Sequence, residues 1–153
     1  MRGYFAAALI VWMASVGLGE LKGSRLIFEF DSGGANHPEG YGAWKVRVDG
    51  GHAEFEHRVR GHVARYRPVT LPETEREKLW KLVNGAGLDK RPDSKQNGPP
   101  DEPRMTFIIK RGADTRTVTI QLDSRQSDDP VLRLLQNVSE LIEKYTGQRP
   151  VLF

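Results

Sequence analysis

No cysteine occurs anywhere in the 153 residues, so disulfide scaffolds and thiolate metal centres are excluded at once. Charge of one sign is also in short supply. The 23 Lys and Arg stand against 20 Asp and Glu, a formal net charge of +3, which is not the strong basicity of a dedicated nucleic-acid binder. The length excludes a large multidomain enzyme, since roughly 150 residues make one domain. Long hydrophobic runs are missing except at the start. The apolar share of 38% is still enough for a core, which excludes wholesale disorder.

The exception lies in residues 1–19. Arg2 is followed by an uncharged run of 17 residues from Gly3 to Gly19, and Ser15, Gly17 and Gly19 gather just before the first carboxylate, Glu20. That is the order of charged, apolar and cleavage regions in a secretory signal. A retained anchor is the competing reading, because a spanning helix needs about 17 to 25 residues. The late glycines and the lack of a basic flank favour cleavage after Gly17 or Gly19. With no Cys at the junction, a lipoprotein anchor is excluded. The expectation is a signal peptide over 1–19 and one domain over 20–153, secreted or periplasmic, monomeric, with no stable membrane span after cleavage. Arg2 is the one charged residue removed, so +3 − 1 leaves +2. Packing alone must hold such a chain together.

Within the mature chain, Arg25 to Phe30 reads as a strand with Leu26, Phe28 and Phe30 on one face. Asp31 to Tyr41 (DSGGANHPEGY) is a loop by its Gly, Asn and Pro. Trp44, Val46 and Val48 alternate with Lys45 and Arg47; Ala53, Phe55 and Val59 do so after Gly50-Gly51, a hairpin signal. In that register Val48 faces Ala53 and Val46 faces Phe55. On the other face Arg47 meets Glu54 and Lys45 meets Glu56, so these acids are explained by pairing. His62 to Val69 is a weaker strand signal. Thr70 and Glu73 have capping-box spacing, and Leu79, Leu82, Val83 and Ala86 fall at helical spacing, which predicts a helix from about Leu71 to Asn84. Asp89 to Pro103 carries four prolines and forms a long polar loop. Arg104 to Lys110 and Thr115 to Leu122 make a second hairpin across residues 111–114. Asp129-Pro130 opens a last helix with a stripe of Val131, Leu134, Leu135, Val138, Leu141, Ile142 and Tyr145, stopped by Gly147. The predicted fold is α+β: a two-layer sandwich, an antiparallel sheet of four to six strands with two helices on one face, in the order β-ββ(β)-α-ββ-α.

Signals for chemistry are sparse. His52, His57 and His62 are spaced by five, and odd spacing places neighbours on opposite faces of a strand, so a metal site is not expected there. No G-x-S-x-G or S-x-x-K motif occurs, and Ser32 before Gly33-Gly34 reads as a turn residue. The glycine-rich loop 32–42 precedes a strand rather than a helix, which argues against a phosphate cradle. Asp123, Asp128 and Asp129 do not have calcium-loop spacing. Asn137-Val138-Ser139 is a sequon lying mid-helix. No cofactor, catalytic residue or metal ligand is assigned.

Two features point instead to binding. Arg58, Arg60, Arg65 and Arg67, with Tyr66 between them, form the densest cationic stretch, suited to an anionic partner or to guarding a sheet edge. The long loop contributes Asp93, Lys95 and Asn97 as polar contacts on a rigid scaffold. The partner expected is an unknown protein or an anionic envelope component; nucleic acid is not expected outside the cell.

The loop ending His37-Pro38 before Tyr41, the run Val48-Asp49-Gly50, Leu71 ahead of a helix, Ala86-Gly87-Leu88 after it, Asp101 before the second hairpin and the closing Leu-rich helix form a familiar order. In these residues the chain resembles a family of exported bacterial domains of unknown function and, more distantly, the emfourins, which inhibit thermolysin-like metalloproteases. Members of the former often carry two Cys in the first loop, where this chain has Gly and His. The resemblance covers most of residues 25–145. It implies an exported two-layer domain, with protease inhibition as one role, and it assigns no inhibitory residue. The functional expectation is a non-enzymatic exported binding domain of unknown partner, with a protease-inhibitor-like module as one form of it. A small carboxylate-dependent hydrolase and a structural envelope component are the alternatives.

Overall fold

The computed structural model describes residues 25–33, 42–91, 104–121 and 130–152. Strands β1 (Leu26–Asp31), β2 (Ala43–Asp49), β3 (His52–Val59), β4 (His62–Arg65) and β5 (Val69–Thr70) precede helix α1 (Glu73–Gly85). Strands β6 (Arg104–Arg111) and β7 (Asp114–Gln121) and helix α2 (Pro130–Thr146) complete the order. The strands form one antiparallel sheet in the order β4-β3-β2-β1-β6-β7, with β5 paired to β3.

Seven strands among the described residues overturn the expected sandwich of four to six. The additional one has a simple origin. After β4 the chain bulges through residues 66–68 and returns to the same edge of β3, where Val69 lies opposite Ala53 and Thr70 opposite His52. Nor does the structure establish the expected placement of both helices on one face. What the structure gives is contact between α1 and α2 and a single apolar cluster joining helix and strand side chains.

Alternation decides which strand residues enter that cluster. Phe28, Phe30, Val46, Val48, Ala53, Phe55, Met105, Phe107, Ile109, Val118 and Ile120 are buried, and Leu79 and Val83 of α1 join six residues of the α2 stripe, Val131, Leu134, Leu135, Val138, Leu141 and Ile142. Each fully buried Val, Leu, Ile or Phe contributes about 1.5–3 kcal/mol relative to exposure. The β2–β3 register is the one the charge and apolar patterns require, with Val46 opposite Phe55 and Arg47 opposite Glu54.

The start of α1 differs from expectation. Thr70 belongs to β5, and the helix begins at Glu73 behind an N-cap at Pro72 that makes no side-chain capping bond. The Leu71 N–H is already given to Gly51 O at 2.8 Å, which holds the chain extended for two residues more than the capping box implied. At the other end α2 stops at Gly147, whose φ of 71° suits a left-handed C-terminal residue, and Asp129 lies outside the described residues. Ser32 is more than a turn residue. It is buried, its N–H donates to Trp44 O and its Oγ accepts the Trp44 N–H, both at 2.9 Å.

Candidate functional site

The basic stretch 58–67 builds one edge of the sheet. A two-residue turn at Arg60-Gly61 links β3 to β4, with Arg60 at φ 50° and Gly61 at φ 81°. Two positive φ values are the signature of a type I′ turn, which suits the twist of paired strands. In the resulting register Arg65 lies opposite Glu56 and Val63 opposite Arg58, all on the polar face of the sheet.

The cations of this stretch divide into two groups. Arg58 reaches across to Asp31 in β1 (Nη2–Oδ2 2.5 Å) and lies 3.6 Å from Glu56, so it ties β3 to β1 over β2. Its buried Nε has no hydrogen-bond acceptor among the described residues. Arg65 shares Glu56 through an Nε–Oε2 contact of 3.1 Å, yet its side chain remains 78% exposed. Arg60 and Arg67 are exposed and form no ion pair among the described residues. Tyr66 turns inward instead, stacking on Trp44 at 5.9 Å against the core. Asp93, Lys95 and Asn97 lie outside the described residues.

A trough of about 450 Å³ runs beside this edge, lined by Glu29, Lys45, Arg47, Glu54, Glu56, Arg65, Tyr66 and Pro68 among others. Its charges do not pair as the sequence implied. Arg47 lies opposite Glu54 but bonds Asp49 at 3.0 Å and approaches Glu29 at 3.9 Å. Glu56 lies opposite Lys45 but is taken by Arg58 and Arg65. The reason is supply: each of these groups finds a partner on a neighbouring strand or two residues along its own. Lys45 and Glu54 are therefore left without an ion pair among the described residues. The other carboxylates of the polar face are all engaged, Glu29 by Lys110 at 3.3 Å as well, and Asp49 by Arg25 at 2.6 Å. The bond from Arg25, and a second from Arg47, hold the Asp49 carboxyl far below the usual carboxylate range.

No protein-family model matches this chain, and no curated protein does either.

The three histidines spaced by five in the sequence, His52, His57 and His62, do not converge. His52 sits beside Thr70 Oγ1 at 3.4 Å, His57 stacks on Trp44 at 4.1 Å and 6°, and His62 is exposed on the edge strand. Among the described residues no group of three His, Asp or Glu is placed to hold a metal ion. No described helix is long and apolar enough to cross a membrane. Asn137 of the sequon is mid-helix and buried.

Sequence reasoning missed Val63, which is 48% exposed on β4. The Arg60-Gly61 pair was the available signal, because a two-residue turn there makes residues 62–65 a hairpin strand. It also missed the unpaired Lys45 and Glu54, for which composition and register hold no signal.

Proposed function

We propose that this chain is an exported, non-enzymatic binding domain that engages an anionic partner through the basic edge formed by the β3–β4 hairpin. The observation that carries this reading is the separation of the two kinds of arginine. Arg58 is consumed by the fold, whereas Arg60 and Arg67 are exposed with no ion pair among the described residues, and Arg65 is largely exposed on the same edge. Uncompensated cations clustered at one edge raise the local concentration of an anionic partner and steer its approach. The segment that exports the chain is residues 1–19, and the domain acts as a monomer outside the cytoplasm.

The hydrolase alternative is less well supported. Two carboxylates with divergent acidities are the usual requirement, and among the described residues of the polar face Glu29, Asp31, Asp49 and Glu56 are each tied to a cation, leaving Glu54 alone. The resemblance to emfourins supplies a specific form of the binding reading, inhibition of a thermolysin-like metalloprotease.

Immobilised mature protein is compared with the double variant R60E/R67E for capture from the producing cell's envelope and secreted fractions. The reading expects one stoichiometric partner, retained by the native chain, eluted by salt and lost by the double variant. A partner retained equally by both baits contradicts it. Addition of the native chain to a thermolysin-like protease tests the inhibitor form, and unchanged proteolysis at stoichiometric excess removes it.

A further inference from the structure

The edge occupied by β4 carries more information than its charge. Among the described residues the sheet order ends at β4, and all four residues of that strand are exposed. The Tyr66 N–H donates to Phe55 O at 3.0 Å. In an antiparallel pair the amide groups of successive residues point alternately toward and away from the partner strand. With Tyr66 turned toward β3, His62 and Ala64 are turned the same way, and Val63 and Arg65 direct both N–H and C=O to the free side. The side chains of those same two residues lie on the polar face, opposite Arg58 and Glu56. One short ledge thus offers two donors, two acceptors, an exposed apolar side chain and an exposed cation. The Arg60-Gly61 turn bounds it at one end and Pro68, which has no N–H, at the other.

We infer that β4 is the docking site for a short extended acidic segment of a partner protein, which adds to the sheet as an antiparallel strand. This rests on the reading of the chain as a binding domain and names its mode. Main-chain bonds to Val63 and Arg65 hold the segment, and side chains at alternate positions select it. The position beside Val63 takes an apolar residue, and the position beside Arg65 takes an acid. Further acids at the ends of the segment meet Arg60 and Arg67. A second copy of this chain is a poor occupant, because antiparallel pairing of β4 with itself brings Arg60, Arg65 and Arg67 against one another.

The test uses the mature chain and a capped acidic peptide that carries valine and glutamate two positions apart, so that valine stands beside Val63 and glutamate beside Arg65, titrated by calorimetry. Three comparison ligands accompany it: the same peptide with lysine for glutamate, the acidic peptide N-methylated on its edge-facing amides, and anionic lipid vesicles. Binding of the acidic peptide is expected to weaken about tenfold or more in R60E/R67E, as two exposed ion pairs become repulsions. The lysine and N-methylated peptides are expected to show no binding. Equal binding of the N-methylated and parent peptides overturns strand addition while leaving the anionic-partner reading intact. Binding to vesicles with none to the peptide does the same. Acidic-peptide binding unchanged in R60E/R67E overturns both, as does the absence of binding to every anionic ligand. Self-association of the chain through β4, detected by sedimentation and abolished by V63P, overturns the peptide as occupant.

Discussion

Tyr145 donates a hydrogen bond of 2.7 Å to Glu75, joining α2 to α1. The same ring stacks on Phe55 of β3 at 6.0 Å, and Glu75 also pairs with Lys144. One phenol therefore links both helices and the sheet. Tyr145→Phe keeps the stack and removes the bond, so it is expected to destabilise the fold by about 1 kcal/mol in chemical denaturation. A variant as stable as the native chain contradicts that role.

Acid sensitivity follows from groups whose charged form the fold favours. Lys144 first, then Tyr145, lower the Glu75 carboxyl; Lys78 lowers Glu140, and Arg25 with Arg47 lowers Asp49. A depressed carboxyl contributes stability that is present above the unfolded value near ~4 and lost as pH falls through the folded value. At the alkaline end Glu75 raises Lys144, and burial followed by Glu75 raises Tyr145. Their contribution is complete below roughly pH 10 and lost above it. Denaturation midpoints are expected to form a plateau between these limbs. Glu75→Gln should reduce both limbs, and limbs unchanged in that variant contradict the assignment.

Two glycines with similar φ are expected to respond differently to alanine. Gly50 has φ 61° and open space around its would-be Cβ, so Gly50→Ala costs about 1–2 kcal/mol for the left-handed backbone. Gly42 has φ 73°, and a Cβ there would meet Arg58 O at 2.3 Å and Val59 Cγ2 at 2.6 Å. Gly42→Ala should therefore be clearly the more destabilising of the two. Equal thermal midpoints for the two variants would show that the strands part easily at Gly42.

Arg58 and Arg60 are two residues apart and have different duties. Arg58→Ala removes the tie to Asp31 and Glu56, so it is expected to lower the denaturation midpoint. Arg60→Ala should leave stability within experimental error and weaken binding of acidic ligands. The opposite assignment of effects would undo the division of the basic stretch proposed here.

Much of the sheet was legible because period-two patterns are strong where one face is buried. The pairing of Val46 with Phe55 and Val48 with Ala53 follows from alternation and the Gly50-Gly51 turn. What the pattern cannot carry is pairing that depends on a third strand. Arg47 lies opposite Glu54, yet Glu29 and Asp49 compete for it. The two-residue β5 was invisible because Pro68 interrupts the segment and two residues hold no period. For the same reason the Thr70–Glu73 spacing resembled a cap when Thr70 was committed to the sheet. Of the candidate binding residues, the sequence identified the cationic edge but could not separate the structural Arg58 from the exposed Arg60 and Arg67, since that distinction depends on the position of Asp31, 27 residues earlier.

Amide hydrogen exchange at β4 tests the account most directly, because it reads the free edge and its occupant together. In the unbound mature protein Val63 and Arg65 are expected to exchange rapidly while Ala64 and Tyr66 are protected. Saturation with the acidic peptide should slow Val63 and Arg65 selectively. Rapid exchange at Val63 and Arg65 that persists with the peptide bound would contradict docking at this edge, and protection of these two amides in the unbound chain would contradict the edge itself.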